Sequence, residues 1–176
     1  VHLPRMTSAN WLATMRLLAI NLAPSYTGMP ELFPLIVSKI INLTIEHGNA
    51  GQSPFAYAGY GLLLCSVMEI EAGYQFGQLA LQLLERGDAQ MVNRARTFEV
   101  VNVFITPWKE HLSRPCYRLK AVYQVALEEG DLEFAGYASS TYGTYSYFSG
   151  QPLVGQEHQL AVYLQEFTSL KQDSGT

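Results

Sequence analysis

The chain has 176 residues, enough for one domain with its own core, and a net charge of -4. That sign, with no cluster of Lys or Arg, argues against nucleic acid as a partner. Hydrophobic residues make up 48% and charged residues only 15%, where about a quarter is usual. Part of the surface is therefore expected to be buried against neighbouring modules.

Other features bound the setting. The chain opens Val1-His2-Leu3-Pro4 without a Met and reads as a piece of a longer protein. Cys65 and Cys116 read as small core residues in a reducing compartment, although a disulfide between them remains open. No run reaches the roughly 18 apolar residues of a membrane span, and no signal peptide is recognisable. The expected location is cytoplasmic. Asn42-Leu43-Thr44 matches a glycosylation sequon but falls in a helical stretch, so it is discounted.

In chain order, Thr7 or Ser8 caps an amphipathic helix over residues 7 to 23, with Trp11, Leu12, Met15, Leu18, Ala19 and Leu22 at three- and four-residue spacing. The stretch from Ala23 to Pro30 is expected to break it. A second helix runs from about 31 to 47, with Leu32, Leu35, Ile36, Ile40 and Leu43 as its stripe and Pro34 in its first turn. Ser53 then caps, and Pro54 opens, a nearly all-apolar helix over 55 to 69 that should be buried on most sides. The next helix opens at Gly73, with Phe76, Leu79, Ala80, Leu83 and Leu84 inward.

A second hairpin starts at Ala89. Met91, Ala95, Phe98, Val101 and Ile105 share one side of its first helix, and Leu119, Val122, Tyr123, Ala126 and Leu127 line the partner. A third hairpin starts at Asp131. Its first helix, 132 to 148, alternates aromatic and small residues, and Leu160, Tyr163, Leu164, Phe167 and Leu170 line its last. Residues 171 to 176 are polar and expected to fray.

One phrase punctuates these helices. It reads Glu46-His47-Gly48-Asn49, then Glu85-Arg86-Gly87-Asp88, then Glu128-Glu129-Gly130-Asp131. Gly can close a helix in the left-handed conformation, and Asn or Asp can cap the next. Recurrence at about 40 residues implies stacked helical hairpins. Small residues on the first helix of each pair would let axes approach. Ala58, Gly61, Gly73, Tyr74 and Ala80 resemble the tetratricopeptide pattern, at a longer period. The expected fold is all-α: a tetratricopeptide-like solenoid of antiparallel hairpins. About three repeats of roughly 40 residues would follow the N-terminal helices. Residues 1–30 form an N-terminal helix and linker, 31–171 the repeat domain and 172–176 a tail.

The chain holds no phosphate-binding GxxxxGK[ST] loop, no kinase motif, no HExxH and no paired CxxC. No catalytic, cofactor or metal site is assigned, and the piece is read as non-enzymatic. His111-Leu112-Ser113-Arg114-Pro115 departs from a phospho-accepting histidine box, with Leu after the His and Pro one position early. A capping or buried, hydrogen-bonded His111 is the expectation. His47 suits the negative end of its helix. Candidates for a partner or ligand surface are Arg94, Asn102, Tyr137, Tyr142 and Tyr145, because Tyr gives broad contact with a polar tip. Core packing is the competing reading for the tyrosines. A solvated face is the competing one for Arg94, Arg96, Glu99 and Asn102.

Several strings resemble a known family: Tyr60-Gly61-Leu62-Leu63-Leu64-Cys65, Gly73-Tyr74-Gln75-Phe76-Gly77-Gln78-Leu79-Ala80, Trp108-Lys109-Glu110-His111-Leu112 and Gly130-Asp131-Leu132-Glu133-Phe134-Ala135. They resemble the helical-repeat region of large bacterial multi-domain signalling kinases, over roughly residues 10 to 170. That family joins a serine/threonine kinase, an AAA/STAND-like ATPase, the repeat region, GAF or PAS sensors and often a histidine kinase. The resemblance implies a cytoplasmic scaffold or regulatory segment whose partners are neighbouring domains or other signalling proteins, and it carries over no catalytic residue. The alternative is a small-molecule sensor with a pocket lined by Tyr137, Tyr142 and Tyr145. A third, minor reading is an all-α enzyme with an unrecognised site.

Overall fold

A computed structural model describes residues 3–86 and 91–173, with side chains through 169. Gly87, Asp88, Ala89, His2 and the side chain of Leu170 lie outside the described residues. The regular structure described is helical: α1 Ala9–Ile20, α2 Leu22–Gly28, α3 Phe33–His47, α4 Ser53–Ser66, α5 Ile70–Glu85, α6 Arg94–Val100, α7 Ser113–Glu128, α8 Leu132–Phe148 and α9 Leu153–Asp173. A turn of π-helix, Val101–Ile105, and a 3-10 turn, Thr106–Trp108, lead from α6 towards α7. The described extended pairing is one isolated bridge between Arg5 and Asn49. No described helix is long and apolar enough to cross a membrane.

The expected break after residue 23 is instead α2. Pro24 sits in its first turn, where a missing N–H costs no helical bond. Ser25 is buried, and its hydroxyl donates to the Leu22 carbonyl. The inward face of α3 also differs from the expected stripe. Phe33, Val37, Ile40, Ile41 and Thr44 are buried, whereas Leu35 is 66% exposed. Trp11 lies at the surface, its ring stacked 4.4 Å from that of His47 at the end of α3.

The central helix is α4, buried over nearly all of its first half. Ser53 is its first residue rather than its cap. The Ser53 hydroxyl accepts from the Ala50 N–H at 2.9 Å and bonds the Thr44 hydroxyl at 3.2 Å. The helix stops at Ser66, short of the expected Glu69, because Met68 turns left-handed at φ 68. The Glu69 N–H then reaches back to the Leu64 carbonyl at 2.9 Å.

α4 and α5 cross where both chains carry glycine. A Cβ on Gly61 would fall 2.8 Å from the Gly73 carbonyl oxygen, and one on Gly73 would fall 2.7 Å from the Gly61 carbonyl oxygen. This close approach is what the small residues were expected to permit.

The repeated phrase acts differently in its two described copies. Gly130 is left-handed at φ 70, the Asp131 N–H bonds the Ala126 carbonyl, and Asp131 caps α8 through the Phe134 N–H. Gly48 also closes its helix at a positive φ of 95, and it is needed for a second reason. A Cβ there would lie 2.3 Å from the Pro4 carbonyl oxygen, because the N-terminal strand segment crosses it. Asn49 caps no helix; its N–H donates to Pro4 and its carbonyl accepts from Met6.

Helices pack on their neighbours in sequence. The most extensive contacts are α4 with α5 and α7 with α8, so the tightest C-terminal pair straddles the expected boundary between hairpins. Ala126, Ala135 and Ala138 are fully buried in that interface region and let the two helices close. Two cores result. One joins α1 to α5 with Val101 and Ile105; the other joins Ala95 to α7, α8 and Tyr163 of α9. The segment from α6 through the π turn feeds both. Residues expected on one side of a single helix are thus divided between two cores.

Polar ties hold the connections. The Glu110 carboxylate accepts from the Tyr74 hydroxyl at 2.7 Å and lies 3.6 and 3.7 Å from Arg114 and Arg118, joining α5 to the start of α7. His111 is exposed, not buried; the α7 N-cap position is Leu112, and the His111 Nδ1 accepts from the N–H of Ser113, the first residue of the helix.

Candidate functional site

A cavity of about 700 Å³ opens at the seam between the two cores. Leu22 and Tyr26 of α2, Phe33 of α3 and Phe55 of α4 form one wall. Phe104 of the π turn, with Phe134 and Tyr137 of α8, forms the other. The aromatic rim is pre-packed. Tyr26 meets Phe33 edge-on at 5.4 Å and Phe104 at 5.6 Å. Each of these rings is held by an element that has its own core contacts, which is how a concave site keeps its shape.

The π turn sets the far wall. It inserts a wider turn after Val100, and such turns alter which side chains point inward and disturb the backbone ladder. Side chains compensate for the ladder. The Tyr145 hydroxyl donates to the Val103 carbonyl at 2.8 Å, and the Asn102 amide donates to the Phe98 carbonyl at 2.8 Å.

Glu99 lines this cavity and is only 4% exposed. Oε1 accepts from the Thr141 hydroxyl at 3.4 Å, a long bond, and Oε2 is buried with no hydrogen-bond partner among the described residues. Burial pushes its carboxyl up to about 8, with the Thr141 hydroxyl opposing the shift. Tyr145 is pushed up to about 12, first by burial and then by the nearby Glu99 charge. The cation on the cavity wall is Arg96, and it is already engaged. Its Nε lies 2.6 Å from Asp131, its Nη2 3.9 Å from Glu133, and its guanidinium covers the Phe134 ring at 4.7 Å.

The candidate residues do not converge. Tyr137 lines the cavity rim, with its hydroxyl donating to Glu133 at 3.1 Å. Tyr145 lies beneath the π turn, committed to Val103. Tyr142 is buried in the second core, edge-on to Tyr163 at 5.9 Å and under the Lys120 ammonium at 5.0 Å. Of the three tyrosines, Tyr137 lines this cavity and Tyr142 and Tyr145 do not. Arg94 is exposed at the start of α6, where its N–H and that of Ala95 donate to the Glu129 carboxylate. Asn102 is buried, with its Oδ1 unpartnered among the described residues, so of the four residues Glu99 and Asn102 leave the solvated face while Arg94 stays on it.

Sequence reading placed Glu99 on a polar face and passed over Thr141, Tyr26 and Phe104. One signal was available. Glu99 is a single carboxylate within Phe98-Glu99-Val100-Val101, a run too apolar for a helix with one wet side.

Among known proteins, this chain matches no family model and no solved structure. It is similar to hybrid signal transduction histidine kinase G of Dictyostelium discoideum, with 26% identity over 141 residues. The match covers 79% of this chain and 4% of that protein. The chain thus spans a small fraction of the length of this relative. The likeness points to a region of a signalling protein.

Proposed function

We propose that this chain is a non-catalytic scaffold or regulatory segment of a multi-domain signalling kinase, a cytoplasmic tetratricopeptide-like stack that contacts neighbouring domains or other signalling proteins. The observation that carries the reading is the likeness just given: most of this chain matches a small segment of a signal transduction histidine kinase. The bacterial architecture of serine/threonine kinase, ATPase, sensor and histidine kinase belongs to the resemblance in the sequence and is proposed with it. The surface supports contact with other modules. At the α8–α9 end, Phe148 is 70%, Leu153 64%, Val154 80% and Leu164 70% exposed. A terminal repeat that faces only water has a polar outer face.

The test is light scattering of the chain, alone and mixed with the module that adjoins it in its parent protein. A complex is expected, and Val154→Asp with Leu164→Asp should abolish it while leaving the helical circular dichroism unchanged. Absence of a complex, or one indifferent to the double substitution, overturns the reading.

A further inference from the structure

We infer that the cavity between the two cores is a binding site for a small hydrophobic amine, whose ammonium pairs with the Glu99 carboxylate while its apolar body lies among the aromatic rings. The inference stands apart from the contact reading, since the α8–α9 surface takes no part in it.

Size and lining come first. A volume of about 700 Å³ lies within the range of roughly 300–1,000 Å³ typical of small-molecule sites. Its walls are mostly aromatic and aliphatic, with few polar groups. Tyr26, Phe104 and Tyr137 are 43%, 36% and 47% exposed at the rim, so a ligand meets aromatic rings on entry.

Charge selects among ligands. The acidic groups on the wall are Glu99 and Glu133, and the one basic group among the lining residues is Arg96. Arg96 is paired with Asp131 and Glu133, and among the described residues no cation pairs with Glu99. The free oxygen of Glu99 lacks a partner in either protonation state. Protonated, it needs an acceptor; ionised, it needs a donor. An ammonium supplies donors and charge together, and a cavity rich in aromatic rings suits a cation. An acidic ligand would meet two carboxylates instead. Glu99 is among the lining residues although Oε2 itself is buried, and the terminal carboxyl torsion of Glu is broad, so rotation can bring an oxygen to the ligand. The Thr141 hydroxyl, also on the wall, holds the other oxygen.

Isothermal titration of the chain at about pH 8.5, where the Glu99 carboxyl, pushed up to about 8, is largely ionised and the amine is still protonated, with 2-phenylethylamine, 2-phenylethanol and phenylacetate tests this. The amine should bind at least tenfold more tightly than the alcohol, and phenylacetate more weakly than either. Glu99→Gln, which preserves shape, should erase the preference for the amine. Tyr137→Ala, at the exposed rim, should weaken the amine severalfold with thermal stability retained, which keeps the test open if Glu99→Gln perturbs folding. Equal binding of amine and alcohol, no binding of any probe, or an amine preference that survives both substitutions overturns the inference.

Discussion

Glu99 is the residue where local physics conflicts most with stability. A carboxylate costs free energy when it leaves water without a cation, and the protein responds by holding the proton. The carboxyl is pushed from its ordinary value of 4.5 to about 8. The folded chain therefore binds more protons than the unfolded chain between those values. The sign follows: the Glu99 contribution is fully present below about pH 4.5 and is lost as the pH rises towards 8. The slope is at most about 1.4 kcal/mol per pH unit. Arg96, Glu133 and Tyr137 line the same space and Tyr145 feels the Glu99 charge, so the comparison must cancel them. Urea unfolding of the native chain and Glu99→Gln between pH 5 and 8 does so. The native chain should lose stability relative to the variant as the pH rises; parallel curves would show that Glu99 is ionised at no cost.

At the scale of elements, the α4–α5 crossing fixes how closely two helices can lie. Gly61→Ala would set a methyl 2.7 Å from Ile105 Cδ1 and 2.8 Å from the Gly73 carbonyl oxygen. Gly73→Ala would meet Cys65 Sγ at 2.5 Å and the Gly61 carbonyl at 2.7 Å. Backbone cannot yield as a side-chain tip can, so each should cost about 1–3 kcal/mol despite the helix propensity of Ala. Gly136 is the control. Its nearest neighbour would be Phe167 Cζ at 3.8 Å, so Gly136→Ala should stabilise α8 by about 0.5–1 kcal/mol. Thermal unfolding of the three variants decides it, and equal effects at all three would remove the close-packing argument. This crossing was legible in the sequence because small residues at helical spacing have few other uses. α2 was not, since Pro24 reads as a break unless its place in a first turn is known. The face of α6 was misread because a helix between two cores has no single stripe, and the π turn leaves the spacing of apolar residues nearly unchanged. Glu99 was hidden for the same reason: a polar residue on a supposed outer face looks solvated until both faces are known to be covered.

For the whole molecule, the question is whether two cores behave as one. In a stack of hairpins each unit contacts its neighbours, and cooperativity depends on the interfaces. Here Ala95 belongs to one core while Val101 and Ile105 belong to the other, with α6 running into the π turn between them. The start of α6 is also tied to the α7–α8 turn. Glu129 accepts from the Arg94 and Ala95 N–H groups, and Asp131 pairs with Arg96 at 2.6 Å. Neither core can lose its order without loosening the segment that both share. The native chain should therefore unfold in one transition, with the same midpoint by tyrosine fluorescence and by circular dichroism. Asp131→Ala removes the α8 cap and a half-buried charged hydrogen bond together, at a cost of about 2 kcal/mol. Because the shared segment transmits that loss, the denaturant midpoint should fall while the slope stays constant. A shallower slope, or two resolved transitions in the variant, would mean that the α6 segment leans on one core alone and that the seam between them is a hinge.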